Sequence, residues 1–101
     1  MFLPDFQLNV ALIMPLLAAA AIGSTSECRL LLEAGGDVGE RNKNGSTPLM
    51  FAAAKGHVDV CELLLEAGGV VGETDEDGFT PLQCAAYFGH IEVCEIGRAH
   101  V

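Results

Sequence analysis

Apolar residues recur along this chain at the three-and-four spacing of a helix that buries one face, and glycine interrupts the recurrence at regular points. Leu49, Ala52 and Ala53 stand at i, i+3 and i+4, and Leu82, Ala85 and Ala86 repeat that spacing further on. Each stripe predicts a short amphipathic helix whose alanines let a neighbouring helix approach closely. Thr47 and Thr80 precede the stripes, and each is followed by a proline, Pro48 or Pro81. A threonine hydroxyl can accept a bond from a free backbone N–H at a helix start, and proline fits the first helical position, where its missing N–H is not needed. Gly56 and Gly89 follow the stripes and end them, since glycine takes the left-handed conformation of a tight turn. A second helix is predicted from about Val58 to Glu66, with Val60, Cys61, Leu63, Leu64 and Leu65 on a broad apolar face and Gly68-Gly69 at its end. The polar link over residues 70–79 carries Asp77-Gly78, and the matching earlier link carries Asn44-Gly45. Both pairs signal a hairpin turn.

These phrases return at one interval. Cys28-Arg29-Leu30-Leu31-Leu32-Glu33-Ala34-Gly35-Gly36 is echoed by Cys61-Glu62-Leu63-Leu64-Leu65-Glu66-Ala67-Gly68-Gly69, and a third start stands at Cys94-Glu95, with 61 − 28 = 33 and 94 − 61 = 33. Thr47-Pro48-Leu49 with Gly56-His57 returns in the same register as Thr80-Pro81-Leu82 with Gly89-His90. A fixed period of this length predicts an array of stacked helix pairs. Helices of two or three turns are marginal in water and must bury their apolar faces against a neighbour, so stacking is the fold. The expected division is a repeat array over 1–95, with a degenerate first repeat at 10–42, a second at 43–75, a partial third at 76–95, and a non-conforming tail at 96–101.

The pattern closely resembles the ankyrin repeat, whose signature runs Asp-x-x-Gly-x-Thr-Pro-Leu-His-x-Ala-Ala-x-x-Gly-His, then Leu-Leu-Leu before a Gly-Ala-Asp turn. The resemblance covers residues 14–95 and implies an all-α, ankyrin-type helix-turn-helix solenoid with projecting β-hairpin loops. It further implies that His57 and His90 make a structural hydrogen bond at the turn. Departures matter too. The motif's first histidine is replaced by Leu17, Met50 and Gln83, so the bond it usually makes is lost or remade. The turn's alanine is Gly36 and Gly69, which is expected to loosen the hairpin base. Gly39 and Gly72 stand where the family often carries a hydroxylatable asparagine, and Ala11-Leu12 stands where the later hairpin pairs do.

Composition narrows the partner class. Five Lys and Arg against 14 Asp and Glu give a net charge of −9, which repels a nucleic-acid backbone over most of the surface and favours a basic protein partner. Residues 10–22 are uncharged, but they are shorter than a membrane span and contain Pro15. A secretory leader within residues 1–26 is the alternative to a degenerate repeat; against it, no basic residue precedes Arg29 and Asp5 lies within it. Cys28, Cys61 and Cys94 share one repeat position, so stacked helices hold them about 8–10 Å apart, beyond disulfide reach, and they are expected to be unpaired core residues in a reducing, intracellular compartment. Cys84, His90 and Cys94 lack the paired spacing of a zinc site. No nucleophile and base share a consistent spacing, and the glycine pairs end helices, whereas a phosphate loop begins one. No metal, cofactor, small-molecule substrate, nucleic acid or membrane is expected.

Residues 95–101 are what GAG ATC GGA AGA GCA CAC GTC encodes, which matches a widely used short-read sequencing adapter. The tail, which includes His100, is therefore expected to be an assembly artefact, the alternative being a poorly conforming cap. The resulting reading is a non-catalytic protein–protein interaction module acting as scaffold or adaptor. The runner-up is a regulatory segment of a larger enzyme, channel or ubiquitin ligase whose catalytic domain is not in this piece. The third is a secreted or membrane-tethered repeat protein. Carried over from the family, partner contacts map to Lys43, Asn44, Ser46, Ala54 and Lys55, and to Glu76, Asp77, Phe79, Tyr87 and Phe88. The aromatic residues beside acidic ones suit a basic partner. The alternative is that a neighbouring layer covers the aromatics and that the acids form a solvated tip.

Overall fold

A computed structural model describes residues 15–99 of the chain. The Ala11-Leu12 position, most of a leader, and His100 lie outside the described residues. Six helices follow one another: α1 (Leu16–Ile22), α2 (Thr25–Glu33), α3 (Pro48–Lys55), α4 (Val58–Glu66), α5 (Pro81–Tyr87) and α6 (Ile91–Ala99). They pair as three layers. The first helices α1, α3 and α5 pack in one row, α2, α4 and α6 pack in a second, and each first helix also packs on its own partner.

The helix starts are made by the side chains expected to make them. Thr47 accepts from the Met50 N–H at 3.3 Å and Thr80 from the Gln83 N–H at 3.1 Å, each with proline at the first helical turn. Ser24 caps α2 through the Glu27 N–H at 3.3 Å. Met14-Pro15 stands where later units have Thr-Pro, and α1 has no side-chain cap. Gln83, in the place of the motif's histidine, closes a capping box by accepting from the Thr80 N–H at 2.9 Å. This bond is exposed and lies within the third unit, so it caps the helix and does not replace a buried bond between repeats.

Between paired helices the chain turns on a glycine of positive φ and then bonds back. At α3 the N–H of Gly56 (φ 77°) donates to the Ala53 carbonyl and that of His57 to Ala52. These paired bonds satisfy carbonyls that the helix end would otherwise leave without a partner. The second helices end the same way on Gly35 (φ 95°) and Gly68 (φ 105°), and the N–H groups of the following Gly36 and Gly69 donate at 2.8 Å to the carbonyls of Leu31 and Leu64, so the hairpin base begins from a closed helix end.

The core is continuous through the layers. Leu16, Ala19, Ala20, Leu49, Ala52, Ala53 and Ala85 are buried between first helices, and Cys28, Leu31, Cys61, Leu64 and Val93 are buried on the second row. All four cysteines are free thiols. The projecting loops differ from expectation in one respect, because no β-strand occurs among the described residues. The reason is local. The Asn42 N–H donates to the Ser46 carbonyl, but the Ser46 N–H returns to the Asn42 side chain (Oδ1, 2.9 Å) and not to its carbonyl, so no ladder starts. Asp75 and Phe79 repeat this arrangement in the next loop.

Candidate functional site

Two loops and three helix ends line up in register. In each loop one side chain organises the tip: Asn42 Oδ1 accepts from the Asn44 and Ser46 N–H groups, and Asp75 Oδ1 from those of Asp77 and Phe79, all at 2.9 Å. Side chains of this type hold turns by mimicking a backbone acceptor. The tips are tied to each other. The Glu76 N–H donates to the Asn44 carbonyl at 3.0 Å. The Arg41 guanidinium reaches the Gly45 and Thr74 carbonyls at 2.8 Å each and pairs with Glu73 at 3.2 Å. This clamp commits Glu73 and Asp75 to holding the loop, leaving Glu76 and Asp77 exposed at its tip. In the preceding loop the equivalent exposed positions are Lys43 and Asn44, so the tip charge changes sign between layers.

The helix ends carry the second part of the strip. Ile22, Lys55 and Phe88 are spaced by 33, since 55 − 22 = 33 and 88 − 55 = 33, and all three are exposed. Ile22 is 62% exposed even though a second layer stacks on its own, and Phe88 is 59% exposed. Exposure at this position therefore belongs to the repeat and is not produced by an uncovered end. Tyr87 is 77% exposed and packs edge-on against Phe88, ring centroids 5.0 Å apart. Phe79 is 44% exposed beside the acidic tip, whereas Ser46 and Ala54, the matching residues of Phe79 and Tyr87 in the layer before, are half-buried. The structure thus exposes Lys43, Asn44, Lys55, Glu76, Asp77, Phe79, Tyr87 and Phe88 of the expected set, with Ser46 and Ala54 partly covered. Ile22 escaped the sequence reading, although subtracting 33 from Lys55 finds it.

Charge is segregated. The outer helices α2, α4 and α6 bear Glu27, Glu33, Asp59, Glu62, Glu66, Glu92 and Glu95 against Arg29 and Arg98. The first helices bear Lys55 alone.

The histidines are fixed between layers. His57 Nε2 lies 3.1 Å from the Ala21 carbonyl of the layer before, and His90 Nε2 lies 2.9 Å from Ala54. A carbonyl only accepts, so Nε2 carries the hydrogen in both rings. Each ring also lies over the preceding layer's turn glycine: a Cβ on Gly23 or Gly56 would come within 2.6 Å of the ring.

Three of the thiols are held protonated. Burial, then Glu62, pushes Cys61 up to about 12; burial, then Glu27, raises Cys28; and burial, then Asp75, raises Cys84. A thiol in that state is a poor nucleophile. Among the described residues no group of three or more His, Cys, Asp or Glu is placed to hold a metal ion, and no helix is long and apolar enough to cross a membrane.

Compared with protein-family models, residues 16–96 match the ankyrin repeats, in 3 copies. No curated protein matches the chain.

Proposed function

The chain belongs to the ankyrin repeat family, whose arrays are generally protein–protein interaction modules, and on that premise we propose that it is a non-catalytic adaptor. It binds its partner along the loop tips and the helix-end column Ile22, Lys55 and Phe88. The observation that carries this reading is the exposure of that column in every layer, with an aromatic pair at its third step. Large rings that stay in solvent where the fold buries small residues nearby have the composition of a contact anchor. Glu76 and Asp77 beside Phe79 supply a rim that attracts a basic segment, while Lys43 and Lys55 orient it by repelling its charge from the second layer. The compartment proposed is intracellular, in keeping with four unpaired thiols.

Amine cross-linking in a cell extract tests this, because Lys43 and Lys55 lie on the strip. Partner cross-links are expected at those two lysines, to fall at least about tenfold in a Tyr87→Ala/Phe88→Ala variant that keeps its fold, and to weaken as salt shortens the screening length below about 8 Å. Cross-links that avoid both lysines and survive the double substitution would overturn the reading.

A further inference from the structure

The two loop tips stack in register, so residues one repeat apart lie side by side. Arg41 is the repeat equivalent of Thr74 and Lys43 that of Glu76, since 74 − 41 = 33 and 76 − 43 = 33. Arg41 Nη1 lies 2.8 Å from the Thr74 carbonyl, and the Glu76 N–H donates to the Asn44 carbonyl at 3.0 Å. The two cations of the earlier tip have unlike equivalents. Lys43 is matched by a carboxylate, whereas Arg41 is matched by a neutral hydroxyl residue and takes its ion pair from Glu73, 3.2 Å away.

Thr74 also differs from the other hydroxyl residues described. Ser24, Thr47 and Thr80 are committed to helix caps, and Thr25 and Ser46 are half-buried. Ser26 is exposed, but it lies within α2 and is followed by Glu27, Cys28 and Arg29. Thr74 is exposed and outside any helix, and its side-chain hydroxyl makes no hydrogen bond among the described residues. It precedes the turn that the Asp75 side chain closes, so the hydroxyl takes no part in holding the tip. Glu73 comes before it and Asp75-Glu76-Asp77 after it. Protein kinases choose substrates partly by the charge pattern around the acceptor, and a run of acids following a threonine fits a kinase with a basic substrate cleft.

We propose that Thr74 is a phosphorylation site for an acid-directed protein kinase, and that Arg41 of the neighbouring tip binds the resulting phosphate. The Thr74 Oγ1 attacks the γ-phosphorus of ATP, the bond from that phosphorus to the β–γ bridging oxygen breaks, ADP leaves, and the hydroxyl proton passes to the kinase's base. The product carries about −1.5 to −2 charges at pH 7 and three acceptor oxygens. A planar guanidinium can bond two of those oxygens at once, so Arg41 exchanges Glu73 for the phosphate and still joins the tips. The added charge strengthens the attraction of this rim for a basic segment; that consequence, unlike the site itself, rests on the adaptor reading.

The test incubates the folded full chain with a purified acid-directed protein kinase and Mg-ATP. Peptide mapping by mass spectrometry is expected to place one phosphate on Thr74, and Thr74→Val should take up none. Asp77→Asn should slow uptake severalfold, because the Asp77 side chain holds no part of the loop and only its charge is removed. In phosphorus NMR, the second ionisation of the phosphate is expected about half a unit lower than in a phosphorylated Arg41→Ala chain, since a nearby cation favours the dianion. The proposal is overturned by a chain that takes up no phosphate, by phosphate on Ser24 or Ser26 with none on Thr74, by an unchanged rate in Asp77→Asn, or by the same ionisation midpoint with and without Arg41. None of these readouts involves a partner, so the adaptor reading can fail without them and they can fail without it.

Discussion

At the residue scale the glycines of the two internal turns do more than adopt an unusual backbone. Gly56 and Gly89 have matching φ values of 77° and 78°, so alanine meets the same backbone penalty at both, about 1–2 kcal/mol. Of these two, Gly56 alone lies under a histidine ring. Gly56→Ala must displace His90 and break its 2.9 Å bond to Ala54, adding a lost hydrogen bond of about 1 kcal/mol and a steric term. Urea denaturation is expected to show Gly56→Ala destabilising by roughly 1–3 kcal/mol more than Gly89→Ala, and His90→Ala should remove most of that excess in the double variant, because the two groups are in contact. Cys61 makes a second prediction. Its thiol is raised to about 12 from an ordinary 9.0. The folded state keeps a proton that the unfolded chain releases, so the stability from this burial is complete below about pH 9 and is lost as pH rises toward 12, at up to about 1.4 kcal/mol per pH unit. A thiol reagent at pH 8 is expected to modify Cys61 only as fast as the array opens, with full modification in urea.

Helices and loops show where the sequence was legible and where it was not. The second helix of the middle layer runs Val58–Glu66, the bounds its apolar face and glycine pair predicted, because periodicity and punctuation both act within a few residues. The threonine caps were legible for the same reason. The loops were not, since Asn-Gly and Asp-Gly announce a turn but not whether a ladder follows, and here the Asn42 and Asp75 side chains take the N–H groups that a strand pair would use. Arg41 was also missed. Its partners Thr74 and Glu73 are about one repeat away, a distance at which no local spacing rule operates. Of the binding strip, family position supplied all the residues except Ile22, while the independence of Phe88's exposure from stacking required coordinates. Two loop tips joined by one guanidinium lead to a prediction. Arg41→Ala is expected to lower stability by no more than about 1 kcal/mol, since the ion pair with Glu73 is largely solvated. It should nevertheless speed hydrogen exchange at Glu76 and Gly78 severalfold. Arg41→Lys should fail to restore protection, because a point ammonium cannot bridge two carbonyls and a carboxylate in the planar guanidinium geometry.

On the scale of the whole molecule, stability is distributed by how many neighbours each layer has. An array of short helix pairs behaves as a one-dimensional sum of layer and interface terms, so a layer covered on one side opens before one covered on both. The middle layer has neighbours on both sides, and there Leu49 is 4% exposed, with Ala52 and Ala53 at 0%. In the third layer Leu82 is only half-buried and Ala86 is exposed, while the outer helix reads Ile96-Gly97-Arg98 where the one before reads Leu63-Leu64-Leu65. An interior glycine alone lowers helix stability by about 1 kcal/mol relative to alanine. Exchange of amides in α5 and α6 is therefore expected to run well ahead of that in α3 and α4, and denaturation followed at Tyr87 should precede loss of total helix signal. The same gradient sets the cost of truncating the shared leucine. Leu49→Ala opens a cavity between two packed layers and should cost about 3–5 kcal/mol, whereas Leu82→Ala gives up partly solvated contacts and should cost about 1–2 kcal/mol. Equal losses, measured by urea titration of both variants, would mean that the third layer is covered in solution.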